Sequence, residues 1–393
     1  MNLRQKIERE IGERGPIPFS RYMELCLYDP ELGYYSRTAE KFGKAGDFYT
    51  SSDVHAVFGR VLARQFEEMW CTLGKPEQME ILELGPGRGL FAQDVLDWSE
   101  KKFPEFFGVL HYTLAERSAW LRERLVTTFR DRIADGKVVV LSQSEGSGFR
   151  EGHGFSRADA VATTRALAPE VPIIIFANEF FDALPVEVLS EKGSLRISLR
   201  DEKFVEEWAN ASSAEMEFLD RYSVHPEDFA RTEASLLARE QMAKLGASIQ
   251  RGFVVVIDYG YTREEQLAGR HLGTVMAYRE HSASSNPYEA PGEQDITAHV
   301  NFTALATTAA LSGMHAHKLR TQSQFLLGIG EANQFADAFE DCHLPQERAK
   351  VALQLKHLVT PAGMGETFHV LVGSKGVDPK MVEGLSGLSF EKR

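Results

Sequence analysis

The residues best suited to chemistry stand in one run, Glu80-Ile81-Leu82-Glu83-Leu84-Gly85-Pro86-Gly87-Arg88-Gly89-Leu90-Phe91. An apolar strand pattern leads into three alternating glycines, with Pro86 between the first two, and then into a helical pattern. Without a Cβ, the backbone at Gly85, Gly87 and Gly89 can turn tightly and let a ligand approach closely. A second acid ends the next predicted strand, at Leu114-Ala115-Glu116. A carboxylate there can accept hydrogen bonds from both hydroxyls of a ribose. Loop and acid together predict an adenosine site.

Spacing narrows the choice of nucleotide. In the dinucleotide pattern G-x-G-x-x-G the sixth position would be glycine, and here it is Leu90. Glu116 follows Gly89 by 27 residues, longer than the roughly 20 expected for a dinucleotide site. No Gly-Lys-Ser or Gly-Lys-Thr follows the strand, which removes the phosphate-binding loop of nucleotide hydrolases. Glu83, two residues before the first glycine, followed by G-x-G-x-G, resembles motif I of class I S-adenosylmethionine methyltransferases. The plainer alternative is a glycine-rich turn that binds nothing.

A second polar cluster follows another apolar run, as Asn178-Glu179-Phe180-Phe181-Asp182-Ala183-Leu184-Pro185. Ligands of open α/β sheets sit beyond the carboxyl ends of strands, so this cluster is expected to face the same crevice as the glycine loop. Asn178 could orient the methionine end of a cofactor, while Glu179 and Asp182 could hold or deprotonate an amine or cationic nucleophile. Methyl transfer from a sulfonium mainly requires alignment in a desolvated pocket. A guanidinium acceptor, with a pKa above about 12, would need carboxylates beside it more. The structural alternative is that Glu179 and Asp182 cap a following helix.

The elements that must position these groups read as an α/β chain. Short apolar runs at 79–84, 110–115, 138–141, 172–177 and 253–257 suit strands of a mostly parallel sheet buried on both faces. Helical spacing recurs at Leu3, Ile7 and Ile11 and over 54–70. Residues 186–209 predict a small antiparallel excursion and 213–250 one or two exposed helices. Helices are expected at 297–311 and 346–357 and a last strand at 367–372. The expected divisions are an N-terminal cofactor-covering segment over 1–75, sheet halves over 76–185 and 251–393, and an insertion over 186–250 on the acceptor side. A loop over 280–294, carrying His281, Asn286 and Tyr288 and followed by Asp295, could fold over a substrate mouth. His299 reads as a buried helix residue and Phe325 to Leu327 as core. His315 and His317 could share a strand face, but no third ligand is evident nearby, so no metal is expected.

Composition sets the outer limits. The 393 residues include 44 basic and 57 acidic side chains, a formal net charge of −13, which argues against nonspecific gripping of a phosphate backbone. Cys26, Cys71 and Cys342 form no C-x-x-C, so neither a disulfide framework nor a zinc ribbon can be drawn from them. The N-terminal residues carry Glu8, Glu10 and Glu13, unlike a secretory signal. No apolar run approaches the ~20 residues of a spanning helix. A cytoplasmic location, with no membrane insertion and no nucleic-acid partner, is the expectation.

Taken in order, the motifs resemble the MidA-like methyltransferases, bacterial relatives of the mitochondrial methyltransferase that helps assemble respiratory complex I. The resemblance covers nearly the whole chain: Pro18-Phe19-Ser20-Arg21-Tyr22-Met23, Tyr28-Asp29-Pro30, Gly33-Tyr34-Tyr35, Gly46-Asp47-Phe48-Tyr49-Thr50-Ser51, the glycine loop, Asn178 to Val186, Asp258-Tyr259-Gly260, Pro291-Gly292, Asp295 to Phe302, and Met364-Gly365-Glu366. It implies a Rossmann-like class I fold with an antiparallel last strand, S-adenosyl-L-methionine as donor, and a protein acceptor. For the mitochondrial relative it implies an arginine of a respiratory complex subunit, symmetrically dimethylated. Carried onto this chain, Gly85, Gly87 and Gly89 would pass under the cofactor, Glu116 would hold its ribose, and the loop with Gly46, Asp47, Thr50 and Ser51 would close over it. The family's Thr-Ser-Pro-Glu is here Thr50-Ser51-Ser52-Asp53, which removes the ground for giving Asp53 a role.

Three other readings remain open at this level. Asn178-Glu179-Phe180-Phe181 loosely resembles the N-P-P-aromatic motif of enzymes that methylate amino groups of nucleic acids or small molecules, although the prolines are missing and the charge is unfavourable. The chain could instead bind S-adenosylmethionine structurally and act as an assembly factor through a partner. An NAD oxidoreductase is disfavoured by Leu90.

Overall fold

The computed structural model describes residues 1–36, 56–141, 171–228, 230–279 and 282–390. The chain divides into two units, one of residues 1–48, 180–242 and 259–308, the other of 49–179, 243–258 and 309–393. Residues 1–75 split between the units, and the last sheet half is interrupted by residues of the other unit.

The second unit is built on a parallel sheet in the spatial order Val138–Val140, Leu110–Ala115, Met79–Leu84, Ile173–Asn178, Gly252–Tyr261, Phe368–Lys375. Neighbours from Val138–Val140 through to Gly252–Tyr261 pair in parallel. The last strand, Phe368–Lys375, pairs antiparallel with the short strands His315–Ala316 and Arg320–Thr321. Continuous apolar runs form these strands because both sheet faces are covered, and every residue of Met79–Leu84 is buried. Helix Ala56–Thr72 packs on helix Leu90–Lys102, and Phe66 and Phe91 meet Phe176 of the sheet, the Phe91 and Phe176 rings stacking 4.3 Å apart. Strand order reverses between Met79–Leu84 and Ile173–Asn178, so a topological switch point lies at their carboxyl ends.

The first unit holds an antiparallel sheet of Ile17–Pro18, Gly193–Arg200, Glu187–Ser190 and Thr232–Ala234, with Lys203–Ala209 paired to Gly193–Arg200. Helix Leu3–Arg14 starts with a capping box, Asn2 Oδ1 accepting from the Gln5 N–H and the Gln5 side chain accepting from the Asn2 N–H. Its Leu3, Ile7 and Ile11 join a core with Tyr22, Cys26, Val188, Leu195 and Ile197. A second small sheet pairs Met276–Arg279 with Ser282–Ser284 and Asp295–Thr297.

Three sequence expectations are corrected here. Helix 297–311 begins only at Phe302, because Asp295–Thr297 and Val300–Asn301 are strands, and His299 is a half-buried linker residue between them rather than a helical one. The 213–250 stretch is not a pair of exposed helices. Helix Ser213–Tyr222 is followed by strand Thr232–Ala234, and helix Leu236–Ser248 buries Ala238, Gln241, Met242 and Leu245. Among the described residues, no helix is long and apolar enough to cross a membrane.

Candidate active site

The glycine loop leaves the end of strand Met79–Leu84 with Gly85, Gly87 and Gly89 all left-handed, at φ 68°, 54° and 77°. Only glycine adopts that region without strain, which explains the alternating pattern. The glycines differ in what surrounds them. A Cβ at Gly89 would lie 2.6 Å from Leu125 Cδ2 and 2.7 Å from Phe129 Cε2, whereas one at Gly87 would meet nothing within 4 Å. Gly89 is therefore demanded by packing at the start of helix Leu90–Lys102, and Gly87 by conformation beside open space. The Gly89 N–H donates to Pro86 O at 2.8 Å, closing the turn, and the Gly85 N–H donates to Ala115 O at 3.0 Å.

Glu116 reaches this loop. One carboxylate oxygen accepts from the Gly87 N–H at 3.3 Å and the other from the Ser118 N–H at 2.8 Å. A carboxylate offers about four lone-pair sites, so capacity remains on both oxygens for a diol. Glu83 is buried within the sheet and accepts from the Tyr112 hydroxyl at 2.8 Å. Burial pushes its carboxyl up to about 8, opposed by the Tyr112 hydrogen bond and reinforced by the charge of Glu116. Three residues earlier in the same strand, Glu80 accepts from the Thr113 hydroxyl and is pushed up to about 7 by burial.

Across the switch point, Asn178 closes strand Ile173–Asn178 and its Nδ2 donates to Glu179 Oε1 at 3.2 Å. Asn178 Oδ1 is buried with no hydrogen-bond partner among the described residues. Glu179 takes a left-handed backbone, φ 48°, while its N–H donates to Ile257 O at 3.0 Å. No helix follows: the chain turns through Phe181 to Leu184 into strand Glu187–Ser190. Helix capping is thus not what Glu179 and Asp182 are for.

Asp182 belongs to the other unit. It is buried, accepts from the Tyr259 hydroxyl at 2.6 Å and is pushed up to about 6 by burial. Its backbone carbonyl accepts from the Ala298 N–H. In the same unit Asp295 is buried and accepts from the Tyr35 hydroxyl at 2.7 Å. Burial pushes Tyr278 up, with Asp182 and Asp295 adding to the shift. Sequence reading gave Tyr259, Tyr35 and Tyr112 no role, although Tyr259 and Tyr35 lie in the quoted motifs. Gly46, Asp47, Thr50 and Ser51, with Asp53 and His281, fall outside the described residues.

The left-handed loop and a carboxylate with acceptor capacity to spare fit a nucleoside. Residues 61–320 match the model of a family described as S-adenosyl-L-methionine-dependent methyltransferase. The chain belongs to that family. The methyltransferase is 28% identical over 397 residues to the Drosophila melanogaster protein arginine methyltransferase NDUFAF7 homolog, mitochondrial, a match spanning 96% of this chain and 85% of the relative. The Danio rerio protein arginine methyltransferase NDUFAF7, mitochondrial, is 27% identical, with 90% and 82% covered. A Burkholderia thailandensis structure bound to S-adenosyl-homocysteine superposes with a TM-score of 0.75 at 27% identity, over 96% of this chain and 92% of that one. A native structure from the same organism gives 0.77 at 26%, over 100% and 95%. The fold is that of MidA-like class I methyltransferases, and S-adenosylmethionine is the donor.

Proposed function

We propose that this methyltransferase transfers a methyl group to an arginine side chain of a protein. The observation carrying the reading is the full-length likeness to relatives named protein arginine methyltransferases, together with a carboxylate, Glu179, fixed at the strand end beside the cofactor loop's switch point. In this reading the backbone at Gly85, Pro86, Gly87 and Gly89 passes under the cofactor, Glu116 holds the two ribose hydroxyls, and Glu83 and Asn178 serve the methionine end.

When bound, S-adenosylmethionine supplies an electrophilic methyl group on a sulfonium. The protein's own work is to hold the guanidinium so that one nitrogen faces that methyl. A carboxylate at Glu179 concentrates the guanidinium charge on the nitrogens it binds and leaves the attacking nitrogen richer in electrons. The N–H proton displaced in the transfer can pass to Glu179 or to water.

The test is incubation of the protein with labelled S-adenosylmethionine and lysate of a strain lacking it, followed by sequencing of the labelled peptide, with respiratory complex subunits the first acceptors to try. Label on arginine, lost in Glu179→Gln while S-adenosyl-homocysteine still binds, supports the assignment. Label on RNA or on a small amine overturns it.

A further inference from the structure

We propose that His315, His317 and Glu383 form a binding site for a divalent transition-metal ion of the Zn2+ class at the edge of the sheet. One ligand atom from each residue lies within 4.8 Å of the others. All three belong to the second unit. Strand His315–Ala316, which carries the first histidine, is separated from the glycine-loop strand by three others in the sheet.

The fold brings the set together in two steps. His315 stands opposite Ser374 in the antiparallel pairing with Phe368–Lys375, and the His317 N–H extends that edge by donating to Val372 O at 2.9 Å. After this strand the chain turns at Gly376, φ 65°, into helix Pro379–Glu383, whose last residue is the third ligand. The imidazoles sit 4.7 Å apart, tilted by 62°.

His317 is the informative member. It is only 6% exposed. Its Nε2 lies 2.8 Å from Ser374 Oγ, while its Nδ1 is buried with no hydrogen-bond partner among the described residues. Leaving such a nitrogen bare is unfavourable, and a metal ion is a partner that removes the cost. With Nε2–H donating to Ser374, Nδ1 presents its lone pair, the arrangement of a ligating imidazole fixed by an outer hydrogen bond. His315 and Glu383 are exposed, which gives an ion entry from solvent and leaves its remaining positions to water.

Two imidazoles and one carboxylate suit Zn2+ and its first-row neighbours, whereas Mg2+ and Ca2+ prefer all-oxygen shells. Metal–ligand distances of ~2.0–2.2 Å require the atoms to draw in, and the two exposed side chains can do so by rotamer changes. The ion would tie helix Pro379–Glu383 to the sheet edge.

The decisive experiment is a titration of the full-length, chelator-treated protein with ZnCl2, read by calorimetry and by competition with a chromogenic chelator. The expected result is one saturable Zn2+ per chain, weakened about tenfold or more in His315→Ala and in Glu383→Gln, with S-adenosyl-homocysteine binding unchanged in both. The exposed pair decides the matter, because His317→Ala can fail through folding alone. Co2+ in place of Zn2+ should give visible d–d bands that vanish in the His315→Ala, Glu383→Gln double variant. Absence of saturable Zn2+, or equal affinity in that double variant, would leave the three residues as a packing cluster and overturn the site.

Discussion

Glu116 does two jobs with one carboxylate: it pins the loop through the Gly87 and Ser118 N–H groups and keeps capacity for a ribose. Glu116→Ala is expected to weaken S-adenosyl-homocysteine binding ~10- to 100-fold, since each hydrogen bond to a charged group contributes about 1.5–3 kcal/mol; calorimetry showing unchanged affinity would remove Glu116 from the site. Glu83 offers a pH test. Its carboxyl is pushed from an ordinary 4.5 up to about 8 by burial, so the stability it contributes is fully present below pH 4.5 and is lost as pH rises through about 8. Glu83→Gln, uncharged throughout and still able to accept from Tyr112, should show a flatter fall in melting temperature between about pH 5 and about pH 9; parallel curves would contradict the burial argument. At Glu179, glycine would relieve the left-handed backbone strain but raise the conformational entropy of the unfolded chain, two opposing effects of ~1 kcal/mol each. Glu179→Gly should therefore melt near the wild-type temperature while turnover collapses, and retained turnover would show that the acid is there only for the turn.

Loop and strand ends carry the next distinction, because two glycines of one motif are held by different forces. Gly87→Ala meets no atom and should cost about 1 kcal/mol for its positive φ, with its main effect on cofactor affinity, since the new methyl enters open space beside the loop. Gly89→Ala drives a Cβ into Leu125 and Phe129 and should lower the melting temperature more than Gly87→Ala does. Melting curves and S-adenosyl-homocysteine titrations on the pair check this, and equal melting temperatures would refute the packing role of Gly89. The same contrast marks what was legible beforehand. Strands Met79–Leu84, Leu110–Ala115 and Ile173–Asn178 stood out because burial on both faces writes itself as an unbroken apolar run. Strand Thr232–Ala234 did not, because its centre is the fully buried Glu233, whose partners are the Thr274 N–H and hydroxyl at 2.8 and 3.1 Å. An acid in a charged stretch reads as surface until that distant threonine is in place. Glu383 beside His317, and Tyr259 beside Asp182, were hidden for the same reason: local spacing finds a loop and its glycines, and only the folded chain finds partners dozens of residues away.

The whole molecule is interleaved rather than serial. The chain passes between its two units five times, at 48/49, 179/180, 242/243, 258/259 and 308/309, and strand Gly252–Tyr261 contributes residues to both. Any single cut thus removes strands from a sheet that must be complete to bury its runs: residues 1–178 alone would lack Gly252–Tyr261 and Phe368–Lys375. The formal charge of −13 also overstates the net negative charge at neutral pH, since Glu83, Glu80 and Asp94 are held at about 8, 7 and 7 by burial and part of their charge is absent. The interleaving makes unfolding cooperative, so scanning calorimetry should give a single transition for the full chain. Saturating S-adenosyl-homocysteine at about a thousand times its dissociation constant should stabilise the native state by ~4 kcal/mol and move the entire transition upward. Two transitions, with ligand shifting one alone, would mean that the glycine-loop sheet folds independently of the unit carrying Asp182 and Asp295.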